Sequence, residues 1–135
     1  MTRVFRISLC GAAASVLMAA SAPPFPVSAH ARAEVFATCA GRLAALATNQ
    51  ASLGNPDHER TSQARDLFDI MLEATIPAAL DDGVPDNVPG LWRSAGWAEI
   101  ASLLNDMHYS LDNGRSNRAK TAIEARITDC ERLVL

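Results

Sequence analysis

Residues 35–46 read Val-Phe-Ala-Thr-Cys-Ala-Gly-Arg-Leu-Ala-Ala-Leu, and residues 123–134 read Ile-Glu-Ala-Arg-Ile-Thr-Asp-Cys-Glu-Arg-Leu-Val. In both, apolar residues recur every three or four positions, the period of one face of an α-helix. Each apolar stripe has a cysteine at its centre, Cys39 in the first and Cys130 in the second. Two helices at opposite ends of a chain that each present a cysteine to the same core define a fold, provided their ends lie at the same height.

Working outward, turn signals divide the chain. Gly54-Asn55-Pro56, the Gly/Pro/Asp-rich stretch 81–89 and Asp112-Asn113-Gly114 are breaks of the kind that Gly, Pro, Asn and Asp impose. They leave four segments, 31–53, 56–80, 90–112 and 115–134. Alanine, leucine, arginine and glutamate dominate them, all good helix formers, and no period-2 alternation is sustained. The stripes are Val35, Phe36, Cys39, Leu43, Leu46 and Leu53; then Ala64, Leu67, Phe68, Met71, Ala74 and Ala78; then Trp92, Trp97, Ile100, Leu103, Leu104, Met107 and Leu111; then Ala119, Ile123, Ile127, Cys130, Leu133 and Val134. Asn55 before Pro56 is a helix start, and Asn113 or Ser116 is expected to cap the fourth helix. Pro77, inside the second pattern, predicts a kink or an early end.

Four helices with short connections predict an all-α, antiparallel up-down-up-down four-helix bundle. In that topology the first helix begins where the fourth ends. Cys39 lies about 8 residues into the first helix and Cys130 about 5 from the chain end, so at about 1.5 Å per residue they fall within roughly 5 Å in height. A Cys39–Cys130 disulfide follows, stapling the first helix to the fourth.

The N-terminal segment bears on compartment. Arg3 and Arg6 precede an uncharged run, residues 7–20, of about fourteen residues. That is the length of a signal-peptide core and short of the roughly 20 residues a membrane span needs. Pro23, Pro24 and Pro26 follow, and Val27-Ser28-Ala29 offers small residues for a peptidase. Residues 1–29 therefore read as a cleaved secretory signal, with cleavage after Ala29 preferred to cleavage after Ala33, and residues 30–135 as a single domain with no stable membrane anchor. Cys10 does not read as a lipoprotein cysteine, because Leu9 precedes it, and it leaves with the signal. Arginine far outnumbers lysine and alanine is abundant, a GC-rich bacterial bias, so the expected location is periplasmic or secreted. A cysteine pair in a short exported chain is read as a disulfide.

The whole chain carries a net charge of −3; without Arg3 and Arg6 the remainder stands at about −5. That balance argues against nucleic acid as a partner. Motifs of haem attachment, zinc proteases, nucleotide-binding loops and serine hydrolases are absent from the sequence. No nucleophile stands at motif spacing from a histidine, so no catalytic residue and no cofactor are assigned.

Three features remain. Arg42 and Arg126 fall near the centres of their stripes, one turn from Cys39 and Cys130, and Glu99 on the third helix comes to the same height. Arginines in a core need anions, so Arg42, Glu99 and Arg126 are read as a salt-bridged cluster that sets helix register, with a pocket for a small anion as the functional variant. His58 and His108 fall at one end of the bundle on neighbouring helices and are the candidates for a metal site; two solvated helix-end histidines are the plainer reading. His30, the expected mature N-terminus, lies at the other end. Trp92 and Trp97 are assigned to the core, and Leu91 and Tyr109 to an outer contact surface. The function expected from all this is non-enzymatic: an exported binding or accessory protein working by protein–protein contact, with another protein or with itself as a homodimer. A metal or small-anion carrier or sensor is the alternative.

Overall fold

A computed structural model describes residues 26–134. Among them stand four helices and no strand: α1 (Ala29–Ser52), α2 (Asp57–Asp81), α3 (Val88–Tyr109) and α4 (Asn113–Glu131). Of the signal-peptide reading of residues 1–29, residues 1–25 lie outside the described residues.

Local chemistry sets the boundaries. Ser28 caps α1, its hydroxyl accepting from the Ala31 amide at 3.1 Å. α1 ends with Gly54 at φ 67°, where Asn55 N–H returns to the Gln50 carbonyl (2.9 Å). α2 ends alike, with Gly83 at φ 89° and Val84 N–H donating to the Ala79 carbonyl (3.0 Å). Both are the left-handed closure that glycine makes cheap, and the second tucks Val84 into the core. The fourth helix is capped by Asp112, which accepts from Gly114 N–H at 2.8 Å, and neither by Asn113 nor by Ser116. Ser116 instead donates its hydroxyl to the Met107 carbonyl at 2.8 Å, tying α4 to the end of α3. Pro77 does not end α2, which runs on to Asp81. Its ring sits on the exposed side of the helix, where the carbonyl it leaves unbonded can be hydrated.

Neighbouring residues give the helix directions. Phe36 meets Phe68 with ring centroids 6.2 Å apart, while the later Leu43, Leu46 and Gln50 meet the earlier Arg60, Thr61 and Ala64, so α1 and α2 run oppositely. His30 lies against Trp92, Arg42 bonds Glu99, and Asn49 approaches His108, so α1 and α3 run the same way. α4 runs against both, with Glu99 on Arg126, Asp106 on Arg115, and Cys39 bonded to Cys130. The cysteine sulfurs are 2.05 Å apart with Cα atoms 5.7 Å apart, and both residues are buried.

The four helices do not share the core equally. Ten residues of α1 are buried, against four in α2, four in α3 and three in α4, which makes α1 the centre. At 100° per residue, Phe36 and Leu43 face α2, Thr38, Gly41 and Ala45 face α3, and Cys39, Arg42 and Leu46 face α4. The remaining edge, Ala44 and Thr48, stays partly open or exposed. The α1–α3 crossing is a backbone contact. A Cβ built on Gly41 would lie 2.9 Å from both the Arg93 carbonyl carbon and the Trp97 nitrogen; one on Gly96 would lie 3.0 Å from the Thr38 carbonyl carbon. Only glycine fits at either position.

Three stripes shift from the sequence pattern. That of α1 loses Leu53, which lies past the helix end and is exposed. On α2 the buried residues are Thr61, Phe68, Leu72 and Ala79, whereas Leu67, Ala74 and Ala78 are exposed. On α3, Ile100 and Leu104 are buried, but Leu111 lies beyond the helix end and is fully exposed.

Candidate functional site

The Arg42–Glu99–Arg126 cluster joins α1, α3 and α4. Arg42 donates Nε to Glu99 Oε2 at 2.8 Å, with Nη2 at the same distance as an ion-pair contact, and Arg126 donates Nε to Oε1 at 2.6 Å. Both carboxylate oxygens are thus engaged. Partial burial pushes the Glu99 carboxyl up, but the hydrogen bonds from Arg126 and Arg42 and their charges outweigh it, so the carboxyl is held below its usual value. In return, the hydrogen bond to Glu99 raises Arg126. Chemically this is a register clamp, and an incoming anion would have to displace Glu99.

The histidines are not brought into a metal cluster. His58 Nδ1 lies 2.8 Å from the Asn55 carbonyl, and His108 Nε2 lies 3.4 Å from Asn49 Oδ1, both where α1 ends. Their partners are amide oxygens. Among the described residues, no three His, Cys, Asp or Glu side chains gather as a metal site would need. His30 stacks at a tilt on Trp92, ring centroids 5.3 Å apart, at the opposite end.

A surface that the stripe pattern missed lies on the uncovered edge of α1. Trp97, assigned to the core, is 47% exposed. The glycines explain it: they bring α3 so close to α1 that the indole has no room beneath it and lies out along the crossing. With Gly41 and Ala44 as floor, and Arg93 and Ser94 beside it, Trp97 borders an open depression. This continues along Ala45, Thr48 and Ser52 of α1 and Ala101, His108 and Tyr109 of α3 as a groove of about 320 Å³. Tyr109, expected on an outer surface, is exposed at its far end.

One strap crosses this face. Arg93 on α3 forms a two-armed ion pair with Asp69 on α2, Nη1 to Oδ1 and Nη2 to Oδ2 (2.9 Å). Asp66, one turn away on α2, is exposed and is taken up by its neighbour Arg65 (2.6 Å). The groove therefore has a small-residue floor and an indole wall. Among the described residues, no helix is long and apolar enough to cross a membrane. No family model, no curated protein and no solved structure matches this chain.

Proposed function

We propose that this is an exported, non-enzymatic binding protein acting by protein–protein contact, and that it docks an amphipathic helix of another chain, cationic on its polar side, along the α1–α3 face. The observation that carries the reading is Trp97: a large indole left half in water over a floor of Gly41 and Ala44. Exposed aromatics set beside a small-residue groove are the usual anchors of interfaces, and helix-in-groove docking needs an apolar trough of this kind. The charge of the occupant follows from the balance of the described residues, 10 basic against 15 acidic, and Arg93 at the groove is already paired to Asp69.

The setting belongs to the same proposal. Residues 1–29 act as a signal peptide, the domain from residue 30 folds as an up-down-up-down bundle, and the compartment is periplasmic or extracellular. The Cys39–Cys130 bond supports this, since such bonds persist in oxidising compartments. Homodimerisation and metal or anion carriage are the competing readings.

The test uses Trp97 as its own reporter, in the oxidised chain carrying Trp92→Phe. A synthetic leucine/lysine amphipathic helix should shift the Trp97 emission to the blue with saturation, and a leucine/glutamate helix should not. Binding should weaken with salt, and by calorimetry it should vanish in Trp97→Ala. Equal response to both peptides, or binding intact in Trp97→Ala, would overturn the proposal. A concentration-dependent dimer that buries Trp97 would replace it with self-association.

A further inference from the structure

We infer that the protein pairs with a second copy of itself through the outer face of α2, in an antiparallel contact with two-fold symmetry. α2 carries two apolar faces. One, through Phe68, Leu72 and Ala79, packs in the core with α1. The other, through Leu67, Ile70, Ala74 and Ala78, is exposed, and Ile70 is 63% open to solvent. At about 100° per residue these four and Gln63 fall within about 80° of one another, on the side away from α1. Single exposed apolar residues are ordinary, whereas a helix that is apolar on two sides calls for cover on both. Leu67 also rims a cavity of about 310 Å³ that the buried Leu43 and Phe68 help to line, which widens the apolar surface.

The order of residues along the stripe says what covers it. Arg60 stands near its start and Asp81 at its end, both exposed. About 32 Å of helix separates them, so they cannot meet within one chain. Arg60 has only a loose contact of 3.7 Å with Asp57, and Asp81 enters no ion pair among the described residues. A second α2, turned antiparallel about the point midway between Ile70 and Met71, answers each position in turn. Arg60 then faces the partner's Asp81, Gln63 the partner's Ala78, Leu67 the partner's Ala74, and Ile70 the partner's Met71. Each pairing recurs with the roles exchanged, as a two-fold contact requires. Large side chains meet small ones along the middle, and opposite charges close both ends. Of the acids beside the stripe, Asp66 is taken up by Arg65 (2.6 Å), and the exposed Glu73 stays at the rim.

Asp69, which ties α2 to Arg93 of α3, lies about 140° from the centre of the stripe. This dimer therefore leaves the Trp97 groove open, and its test does not depend on that reading. Sedimentation velocity of the oxidised chain should show a monomer–dimer equilibrium that Trp97→Ala leaves unchanged. Ile70→Glu should weaken the dimer roughly a hundredfold. Arg60→Asp and Asp81→Arg are substitutions at exposed positions, each favourable to the helix dipole. Each alone sets like charges at both ends of the pair and should weaken it roughly tenfold. Mixing the two variants should restore dimerisation, because the mixed dimer has opposite charges at both ends. A chain that stays monomeric up to about 1 mM, a dimer that survives Ile70→Glu, or variants that do not recover one another on mixing would each overturn the inference. A dimer lost in Trp97→Ala would also overturn it and assign the contact to the groove.

Discussion

Replacing Gly41 by alanine separates two ways of judging this chain. By helix propensity, alanine in mid-helix is favoured over glycine by about 1 kcal/mol, so Gly41→Ala should stabilise. By packing it should do the reverse. The new Cβ would stand 2.9 Å from the Arg93 carbonyl carbon and from the Trp97 nitrogen, where ordinary contact begins near 3.4 Å. These are backbone atoms, so no side chain can swing aside, and α1 and α3 must move apart along the whole crossing. Overpacking of this kind costs about 3 kcal/mol at the upper end of its usual range. Subtracting the propensity gain leaves a net loss of about 2 kcal/mol. For a domain of this size that is a fall in Tm of roughly 8–16 °C. Gly90 supplies the control: it lies in the first turn of α3 with nothing within 4 Å of a built Cβ, so Gly90→Ala should stabilise by up to about 1 kcal/mol. Gly96→Ala should destabilise like Gly41→Ala. The double variant should lose less than the sum, because both substitutions part the same two backbones. Urea unfolding followed by far-ultraviolet circular dichroism, with unchanged m-values, is the assay. If Gly41→Ala and Gly90→Ala shift the midpoint in the same direction, the account of the α1–α3 crossing is wrong.

Other expectations follow from named contacts. Replacing Cys39 and Cys130 by alanine removes a crosslink spanning 91 residues, and the chain-entropy account puts the loss at about 4–5 kcal/mol; an unchanged urea midpoint would contradict it. Glu99 is held below the usual carboxylate value of 4.5, so its ionised form contributes stability that is complete above that pH and lost as pH falls through the lowered value. Glu99→Gln should therefore cost about 2 kcal/mol at pH 7, with the gap between the two proteins closing as pH falls through that lowered value; a gap that does not change with pH would rule out the clamp. A chain beginning at His30 lacks the Ser28 cap and the buried Ala29, and it places an α-amino charge in the first turn of α1. It should melt below a chain beginning at Pro26, the cap alone contributing about 1 kcal/mol, and equal melting temperatures would argue against that cap.

Sequence reasoning reached the fold through features that depend on one dimension only. Helix period, turn residues and height along an axis place Cys39 beside Cys130 and set Arg42 and Arg126 around Glu99, because rise per residue is nearly constant. It failed where a second helix decides the answer. A stripe drawn through Leu67, Ala74 and Ala78 is as regular as the one through Thr61, Leu72 and Ala79, and only the position of α1 selects the latter. Large aromatics usually belong to the core, which is where the stripe puts Trp97; the glycines at 41 and 96 reverse that, and a lone glycine in an alanine-rich helix looks like indifferent filler. Spacing Gly41 and Gly96 at the same height on two parallel helices was the signal that could have found the crossing. The histidines reached the expected end of the molecule, but arrival at one end is not convergence: each found an amide oxygen first.

The Trp97 groove and a second cavity both follow from how tightly α1 and α3 are drawn together. With glycine on each side of the crossing, α3 occupies one flank of α1 and leaves α2 to the other, so α2 and α3 are joined on this face by the Arg93–Asp69 strap. Beyond the strap, toward the end of α1, the floor of Ala44 and Thr48 has only α3 beside it, and the Trp97 groove opens there. On the other side α4 is fastened at three places: to α1 by the disulfide near its C-terminus, to Glu99 of α3 by Arg126, and to the end of α3 by Ser116 and Arg115 near its N-terminus. From Cys130 back to Ser116 it therefore leans from α1 toward α3, and the gap so left beside α1 is an open cavity of about 360 Å³ bordered by Leu46, Gln50, Met107 and Ile123. A change that parts α1 from α3, such as Gly41→Ala, would let α4 settle differently and reshape both, because Asn49, Leu104 and His108 border the groove and the cavity alike. The crossing thus shapes the whole molecule, and each surface depends on it.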